Sequence, residues 1–320
     1  MKHCISIADL SRDDVELVLE RAASFQEVAD REIKKVPALR GRTILTLFYE
    51  ASTRTRSSFE LAAKRLSADT VSFAASGSSV EKGESLKDTV LTLAAHSPDA
   101  IVVRAPWAGT PDLVSQWTDA AIVNAGDGKR EHPTQALLDL FTMRQQLGDD
   151  LAGRSVWIVG DVAHSRVARS LIRILVLTGV HVTVCGPPTL IPHDIAALGC
   201  DVTFDISAMK DADVVYTLRL QHERMTAAGL LPSLGEYAAR FQVNSSRLSP
   251  NQVVMHPGPV NRGVEMSGEV VDSPQAVITM QVKAGVVVRM AVLYELLAAA
   301  RGTTGAPIAP TATAAQEITA

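Results

Sequence analysis

Short apolar runs alternate along the chain with longer segments in which apolar residues recur at helical spacing. Ser11 followed by Asp14 forms a capping-box pattern, and the apolar residues after it predict a helix over residues 12–30. Residues 43–49 are rich in β-forming side chains, and a second helical pattern follows them. Strand, loop and helix in this order predict an α/β fold with a parallel sheet.

The alternation continues through both halves of the chain. Further strands are predicted over residues 70–74, 100–103, 121–124, 156–159, 181–185, 201–204, 214–218 and 253–256. Residues 133–147 form a helical pattern with proline at its first turn, and Gly148 follows it. The fold class predicted is α/β, with two doubly wound parallel-sheet domains joined by interdomain helices.

The length of 320 residues favours two domains, each large enough for its own core. We predict a first domain over residues 1–134 and a second over 135–285. A C-terminal helix at about residues 286–300 is expected to pack back on the first domain. Residues 301–320 lack periodicity and are predicted to be a disordered tail.

Composition excludes several classes of protein. The formal charge of −4 argues against a nucleic-acid binder, which needs a basic surface to displace counterions. The three cysteines are widely spaced and fit neither a disulfide framework nor a zinc site, so we expect no metal. No run approaches a signal-peptide core or the roughly 20 apolar residues of a membrane span. A cytoplasmic protein without a membrane partner is expected.

The segment Ser52-Thr-Arg-Thr-Arg56 lies where a predicted strand passes into a helix. Backbone N–H groups and the helix dipole favour an anion at such a place. Arginine can hold two phosphate oxygens at once, and hydroxyl groups can donate to the remaining ones. The pattern indicates a phosphate-binding loop, although these residues alone leave open an ordinary capped helix start in solvent.

At this loop the sequence resembles the aspartate and ornithine carbamoyltransferases, and the resemblance covers almost the whole chain except the tail. It rests on seven ordered motifs, at the spacing of the aspartate enzymes: FYEASTRTRSSFE, GSSVEKGESLKDT, VRAPWAG, NAGDGKREHPTQALLDL, GDVAHSRVARSL, LRLQHERM and HPGPVNRGVE. The resemblance implies the carbamoyltransferase fold. It also implies transfer of the carbamoyl group of carbamoyl phosphate to L-aspartate, without a cofactor, in de novo pyrimidine (UMP) synthesis.

Position by position, the resemblance implies which residues bind carbamoyl phosphate. They are Ser52, Thr53, Arg54, Thr55, Arg104, His132, Gln135, Gly258 and Pro259. Four of them, which carry donors suited to the phosphate or the carbonyl oxygen, are expected to be catalytic: Arg54, Thr55, Arg104 and His132. Negative charge develops on the carbonyl oxygen during attack by an amine, so such donors stabilise the transition state.

Aspartate carries two carboxylates, which fixed arginines recognise better than lysines. The resemblance implies that the aspartate site consists of Lys82, Arg166, Arg219 and Gln221. It further implies a homotrimer with shared active sites, in which a neighbouring subunit supplies Ser78 and Lys82. Regulatory chains or a dihydroorotase could associate with this trimer, and the sequence leaves that open.

The segment His256-Pro-Gly-Pro259 is expected to form a turn whose carbonyl oxygens accept hydrogen bonds from the carbamoyl NH₂ group. Many family members have leucine and arginine where this chain has Gly258 and Val260. The backbone carbonyl groups of the turn do not depend on these two side chains and remain available as acceptors. The rigidity of the loop and a salt link on domain closure are left open.

Three other functions remain to be weighed. Ornithine specificity is disfavoured, because the chain has HPGP and a basic LRLQ segment in place of an acidic ornithine site. A nucleotide-binding dehydrogenase would need a G-x-G-x-x-G loop, and the strand over residues 156–159 lacks one. A catalytically silent relative would have lost charged site residues, and here those positions are filled.

Overall fold

The computed structural model describes residues 1–74, 84–221 and 233–298. In these ranges the α-helices are α1 (Arg12–Ala29), α2 (Thr53–Arg65), α3 (Leu86–Ala94), α4 (Thr110–Ser115), α5 (Pro133–Leu147), α6 (Arg166–Leu177), α7 (Leu234–Phe241), α8 (Gly268–Val271) and α9 (Ile278–Leu297). The strands are β1 (Thr43–Phe48), β2 (Asp69–Ala74), β3 (Ala100–Ala105), β4 (Ala121–Asp127), β5 (Ser155–Val159), β6 (His181–Cys185), β7 (Asp201–Thr203), β8 (Val214–Thr217) and β9 (Val253–Met255).

The first half forms a parallel sheet in the order β2-β1-β3-β4. Its strands β1, β3 and β4 are almost entirely buried, as expected when helices cover both faces of a parallel sheet. The capping box predicted at the start of α1 is present, since Ser11 Oγ accepts from Asp14 N at 3.1 Å and the Asp14 carboxylate accepts from Ser11 N at 3.1 Å.

The second half forms a parallel sheet in the order β7-β6-β5-β8-β9. The strand predicted over residues 201–204 is one residue too long. Thr203 pairs with Cys185, the last residue of β6, so Phe204 has no strand neighbour there and is 54% exposed. Both sheets follow the predicted pattern, and the fold class of two parallel α/β sheets is confirmed.

Two long helices connect the halves. Helix α5 lies between the sheets in sequence and packs against α6 of the second half. Helix α9 follows the second sheet and packs against α1, α2 and α5. One edge contact in this region joins the Phe25 and Tyr294 rings, whose centroids are 5.7 Å apart. The domain limits at residues 134 and 285 stay predictions, and the predicted tail over 301–320 lies outside the described residues.

Two properties of the described residues bear on the function classes considered above. Among them, no helix has both the length and the apolar character needed to cross a membrane. In the same ranges, no three side chains of His, Cys, Asp or Glu are grouped so that they could hold a metal ion. Cys4, Cys185 and Cys200 are buried and carry free thiols.

Candidate active site

One cavity of about 420 Å³ opens between the carboxyl ends of the two sheets. Ligand sites in open α/β folds form at these strand ends, where the loops of neighbouring strands converge. The predicted site residues that line it are Ser52, Thr53, Arg54, Thr55, Arg104, His132, Gln135, Arg166, Arg219, Gln221, Gly258 and Pro259. Ser78 and Lys82, which are predicted to come from a neighbouring subunit, lie outside the described residues.

The amino end of α2 forms one wall of this cavity. Ser52 is the N-cap residue of this 13-residue helix, yet its hydroxyl accepts no capping hydrogen bond from the described residues of the first turn. Thr55 is buried in that turn, and Arg54 lies beside it. Because the first N–H groups of a helix need acceptors, an anion bound here would satisfy them.

Gly258 brings the loop after β9 against Arg54. Its φ is +66°, a conformation that residues with a Cβ rarely adopt. A Cβ added at this position would lie within hard contact of the Arg54 guanidinium, 2.2 Å from Nη1. A side chain at this position would therefore have to displace the Arg54 guanidinium.

We expect Gly258→Ala to weaken carbamoyl phosphate binding about tenfold, because the methyl group displaces the Arg54 guanidinium and costs a charge-assisted contact. The left-handed conformation should also lower the free energy of unfolding by about 1–2 kcal/mol. Gly263→Ala is the matched control, since Gly263 has φ +86° and open space around a Cβ. It should lose similar stability but keep the KM for carbamoyl phosphate, and equal KM values for the two variants would contradict the prediction.

Arg104 and His132 reach the cavity from the first half. Arg104 lies on β3 and donates from Nη1 to the Ala125 carbonyl oxygen at 3.1 Å. His132 is the N-cap of α5, and its backbone N–H donates to Ser170 Oγ at 2.8 Å. The first bond holds the Arg104 side chain and the second holds the backbone at His132, and donors to a developing charge need such fixed positions.

Glu50 is a cavity residue that the sequence analysis missed. Its Oε1 accepts from Arg104 Nη2 at 2.8 Å and from Arg166 Nη2 at 2.5 Å, and its Oε2 accepts from Arg166 Nη1 at 3.1 Å. A carboxylate was not expected in a site for anions. Its position directly before the phosphate loop was the available signal, and the tertiary structure shows that it joins arginines of both halves.

Arg166 and Gln221 form the wall contributed by the second half. Arg166 begins α6 and is buried, with Nη1 also 3.3 Å from the Gly128 carbonyl oxygen. Gln221 donates from its backbone N–H to Asp161 Oδ2 at 3.2 Å. Arg219 follows β8 and is half-buried at the same cavity. The second half therefore offers two arginines, the number that a dicarboxylate demands.

His256, which begins the predicted turn over residues 256–259, also braces the loop that contains Gly258 with its side chain. Its Nδ1 accepts from Gly258 N at 2.8 Å, and its Nε2 lies 3.2 Å from Glu265 Oε1. Burial lowers the pKa of His256, and Glu265 only partly offsets this effect. The neutral ring therefore keeps Nδ1 as an acceptor and directs its N–H toward Glu265.

Two buried charged side chains lie at this end of the cavity: Arg289 lines it, and Asp139 lies behind the lining residues Gln135 and Gln281. Burial raises the pKa of Asp139 to about 7, although hydrogen bonds from Tyr216, Gln281 and Gln135 lower it. Burial also lowers the pKa of Arg289 to about 10, against the attraction of Asp139. Asp139 therefore carries its charge at a cost, because its ionised form is disfavoured in a low-dielectric interior.

This cost predicts a pH-dependent stability. The folded pKa of Asp139 lies above the ordinary value of 3.8, so its stabilising contribution is present below about pH 4 and is lost as pH rises through about 7. Between pH 5 and pH 8 the wild type should lose about 2–3 kcal/mol relative to Asp139→Asn. Thermal unfolding across that range checks this, with exposed Asp149→Asn as control. Parallel curves for wild type and Asp139→Asn would contradict it.

The fold and the arginine-rich cavity between two parallel sheets are those of a carbamoyltransferase. Residues 2–145 match the family model described as Aspartate/ornithine carbamoyltransferase, carbamoyl-P binding domain. Residues 152–296 match the model described as Aspartate/ornithine carbamoyltransferase, Asp/Orn binding domain. The chain therefore belongs to the aspartate/ornithine carbamoyltransferase family.

Similar proteins narrow this class to one branch of the family. The aspartate carbamoyltransferase catalytic subunit of Acidothermus cellulolyticus is 53% identical over 301 residues, 93% of each chain. That of Salinispora arenicola is 55% identical over 304 residues, 93% of this chain and 98% of the relative. The Trypanosoma cruzi aspartate transcarbamoylase in complex with carbamoyl phosphate and aspartate has a TM-score of 0.83 at 33% identity, over 92% of this chain and 97% of that one. The chain belongs with the aspartate carbamoyltransferase catalytic subunits.

Proposed function

We propose that the cavity between the two sheets is where this chain transfers the carbamoyl group of carbamoyl phosphate to the amino group of L-aspartate. One observation carries the assignment. The first turn of α2, which Ser52 does not cap with a hydrogen bond, and arginines from both halves lie at a single cavity. Both substrates are anions, and bringing them together requires fixed positive charge. The two products would be N-carbamoyl-L-aspartate and phosphate.

The phosphate group binds at the amino end of α2, against Ser52, Thr53, Arg54 and Thr55. The carbamoyl carbonyl oxygen then lies toward Arg104, whose guanidinium donates to the Ala125 carbonyl oxygen, and toward His132, whose backbone N–H donates to Ser170 Oγ. Such fixed donors stabilise the charge that develops on this oxygen, each by about 3–4 kcal/mol. The carbamoyl NH₂ group lies toward Gln135 and the backbone of Gly258 and Pro259.

Aspartate binds from the second half, with its carboxylates on Arg166, Arg219 and Gln221. Arg166 is bound to Glu50 of the first half in the structure, so aspartate binds beside an existing link between the halves. The neutral amine attacks the carbamoyl carbon, and the bond from carbon to the phosphate oxygen breaks with its electron pair. The departing phosphate takes the amine proton, so no side chain need act as nucleophile.

The direct test is an assay of the purified chain with carbamoyl phosphate and either L-aspartate or L-ornithine, following phosphate and the ureido product. Product with aspartate alone is the expected result. Product with ornithine alone would keep the phosphate assignment and overturn the role of Arg166 and Arg219. Absence of product with either, from a folded protein, would overturn both.

We also propose a homotrimer in which Ser78 and Lys82 complete the site of a neighbouring subunit. This follows from the family resemblance. It is supported by large apolar side chains that the first half leaves exposed, among them Val71 at 51% and Trp107 at 57%. Regulatory chains, a dihydroorotase partner, a place in pyrimidine synthesis and a cytoplasmic location stay predictions.

Subunit mixing should test the shared site. Arg54→Ala and Lys82→Ala variants are each expected to have little activity. When the two are dissociated together and reassembled, some sites combine an intact Arg54 with an intact Lys82, so activity should return. Reassembly of each variant alone is the control. A mixture that sediments as a trimer and stays inactive would contradict sharing, and so would a fully active monomer.

A further inference from the structure

Asp139 is a fully buried carboxylate on α5 to which the reaction described above gives no role. Its Oδ1 accepts from Gln135 Nε2 at 3.0 Å and from Gln281 Nε2 at 2.8 Å. Its Oδ2 accepts from the Tyr216 hydroxyl at 2.7 Å. Donors on α5, α9 and β8 therefore converge on one side chain, and two of them, Gln135 and Gln281, line the cavity.

The contact with Asp139 fixes the orientation of the Gln135 amide. Asp139 Oδ1 accepts from Gln135 Nε2, and only the nitrogen of an amide side chain can donate, so the Gln135 amide presents its nitrogen to Asp139. The Gln135 carbonyl oxygen is then turned away from Asp139. It is the acceptor that Gln135 offers to a ligand, and it suits a group that carries N–H donors.

The same carboxylate also fixes the orientation of a second cavity residue, Gln281. Gln281 donates from Nε2 to Asp139, so its carbonyl oxygen is turned the other way, where it accepts from His256 N at 3.0 Å. His256 in turn accepts from Gly258 N at 2.8 Å. An unbroken chain of hydrogen bonds thus runs from Asp139 to the loop over residues 256–259.

We propose that Asp139 is a positioning residue for the carbamoyl group. It holds the Gln135 carbonyl oxygen as an acceptor for one N–H of the carbamoyl NH₂ group, and through Gln281 it holds the loop around Gly258 beside the same group. The inference rests on the proposed function, because it assigns the carbamoyl group to this end of the cavity.

The burial of Asp139 supports a functional reason for its presence. A buried carboxylate is costly even when it accepts several hydrogen bonds, and an apolar or amide side chain of similar size is often at least as stable. Arg289 offsets only part of this cost: its attraction is the weakest of the effects that lower the pKa of Asp139, and its own hydrogen bonds go to Ser58 Oγ and the Gly285 carbonyl oxygen. The remaining cost favours a functional reason for a carboxylate here.

Two small ligands distinguish a positioning role of Asp139 from a role in stabilising the fold alone. Inorganic phosphate probes the α2 end alone, whereas phosphonoacetamide adds a primary amide with the N–H donors of a carbamoyl group. Asp139→Leu removes the acceptor at nearly constant size. Calorimetry on the whole chain should show phosphonoacetamide binding weakened about tenfold, the usual effect of one lost hydrogen bond, with phosphate binding unchanged.

Asp139→Asn should restore binding of phosphonoacetamide. Its Oδ1 can accept from both glutamines while its Nδ2 donates to the Tyr216 hydroxyl oxygen. If the leucine variant does not fold, Asp139→Ala answers the same question, because water in the vacated space can donate as well as accept and so cannot enforce one amide orientation.

Selective loss of phosphonoacetamide binding with rescue by asparagine is the expected result. Equal losses for both ligands in the folded variants, or no loss for either, would overturn the positioning role. Failure of the proposed function is recognised separately: the wild type would then bind phosphate no differently from phosphonoacetamide and would form no product from carbamoyl phosphate and aspartate.

Discussion

Replacing Arg54 by alanine is expected to lower kcat by at least about 10²-fold. Arg54 lies in the open first turn of α2, within reach of the loop around Gly258. Arg56 of the same turn stacks instead on the Phe48 ring, 5.0 Å from its centroid. The charge of Arg54 is needed most when phosphate departs, so the loss should appear in kcat more than in the KM for carbamoyl phosphate. Steady-state kinetics with both substrates measures this.

Lys64→Ala is the matched control for that variant. Lys64 is an exposed cation near the far end of the same helix, so its removal tests charge and helix content without touching the cavity. It should leave kcat close to the wild-type value. Near-normal turnover of a correctly folded Arg54→Ala enzyme would show that the phosphate group binds elsewhere.

Replacing Arg219 by alanine is expected to act on the other substrate, raising the KM for aspartate about 10²-fold, since a fixed carboxylate contact contributes about 2–5 kcal/mol. Arg219 follows β8 and belongs to the part of the cavity wall that the second half contributes, whereas α2 belongs to the first half. Binding of phosphonoacetamide should therefore be unchanged. Arg219→Lys should recover only part of the loss, because lysine cannot bind a carboxylate bidentately.

Arg240→Ala is the control for Arg219. Arg240 lies on α7 of the same half, with its side chain 69% exposed and paired with Glu236 four positions earlier. Its removal should change neither KM. If Arg219→Ala weakened phosphonoacetamide binding more than it raised the KM for aspartate, Arg219 would belong to the phosphate end of the cavity. The positions proposed for the two substrates would then have to be interchanged.

Local signals in the sequence were enough for the elements that carry the site. The capping box at Ser11, Pro133 at the start of α5 and the apolar periodicity depend on neighbours a few residues apart, and each of these features is present in the structure. The phosphate loop before α2 follows from the same kind of local chemistry. The motifs then identified the family, because their residue types and spacing are themselves sequence properties.

Contacts between distant segments were decided only by the tertiary structure. Glu50 binds Arg166, 116 positions away, and Asp139 binds Gln281, 142 positions away. A single sequence does not show which distant residues lie close together in space. Burial decides their effect as well, since it is the interior around α5 and α9 that raises the pKa of Asp139. The sequence by itself thus determined which residues could bind the substrates, whereas the packing of the two halves determined which side chains hold them in place.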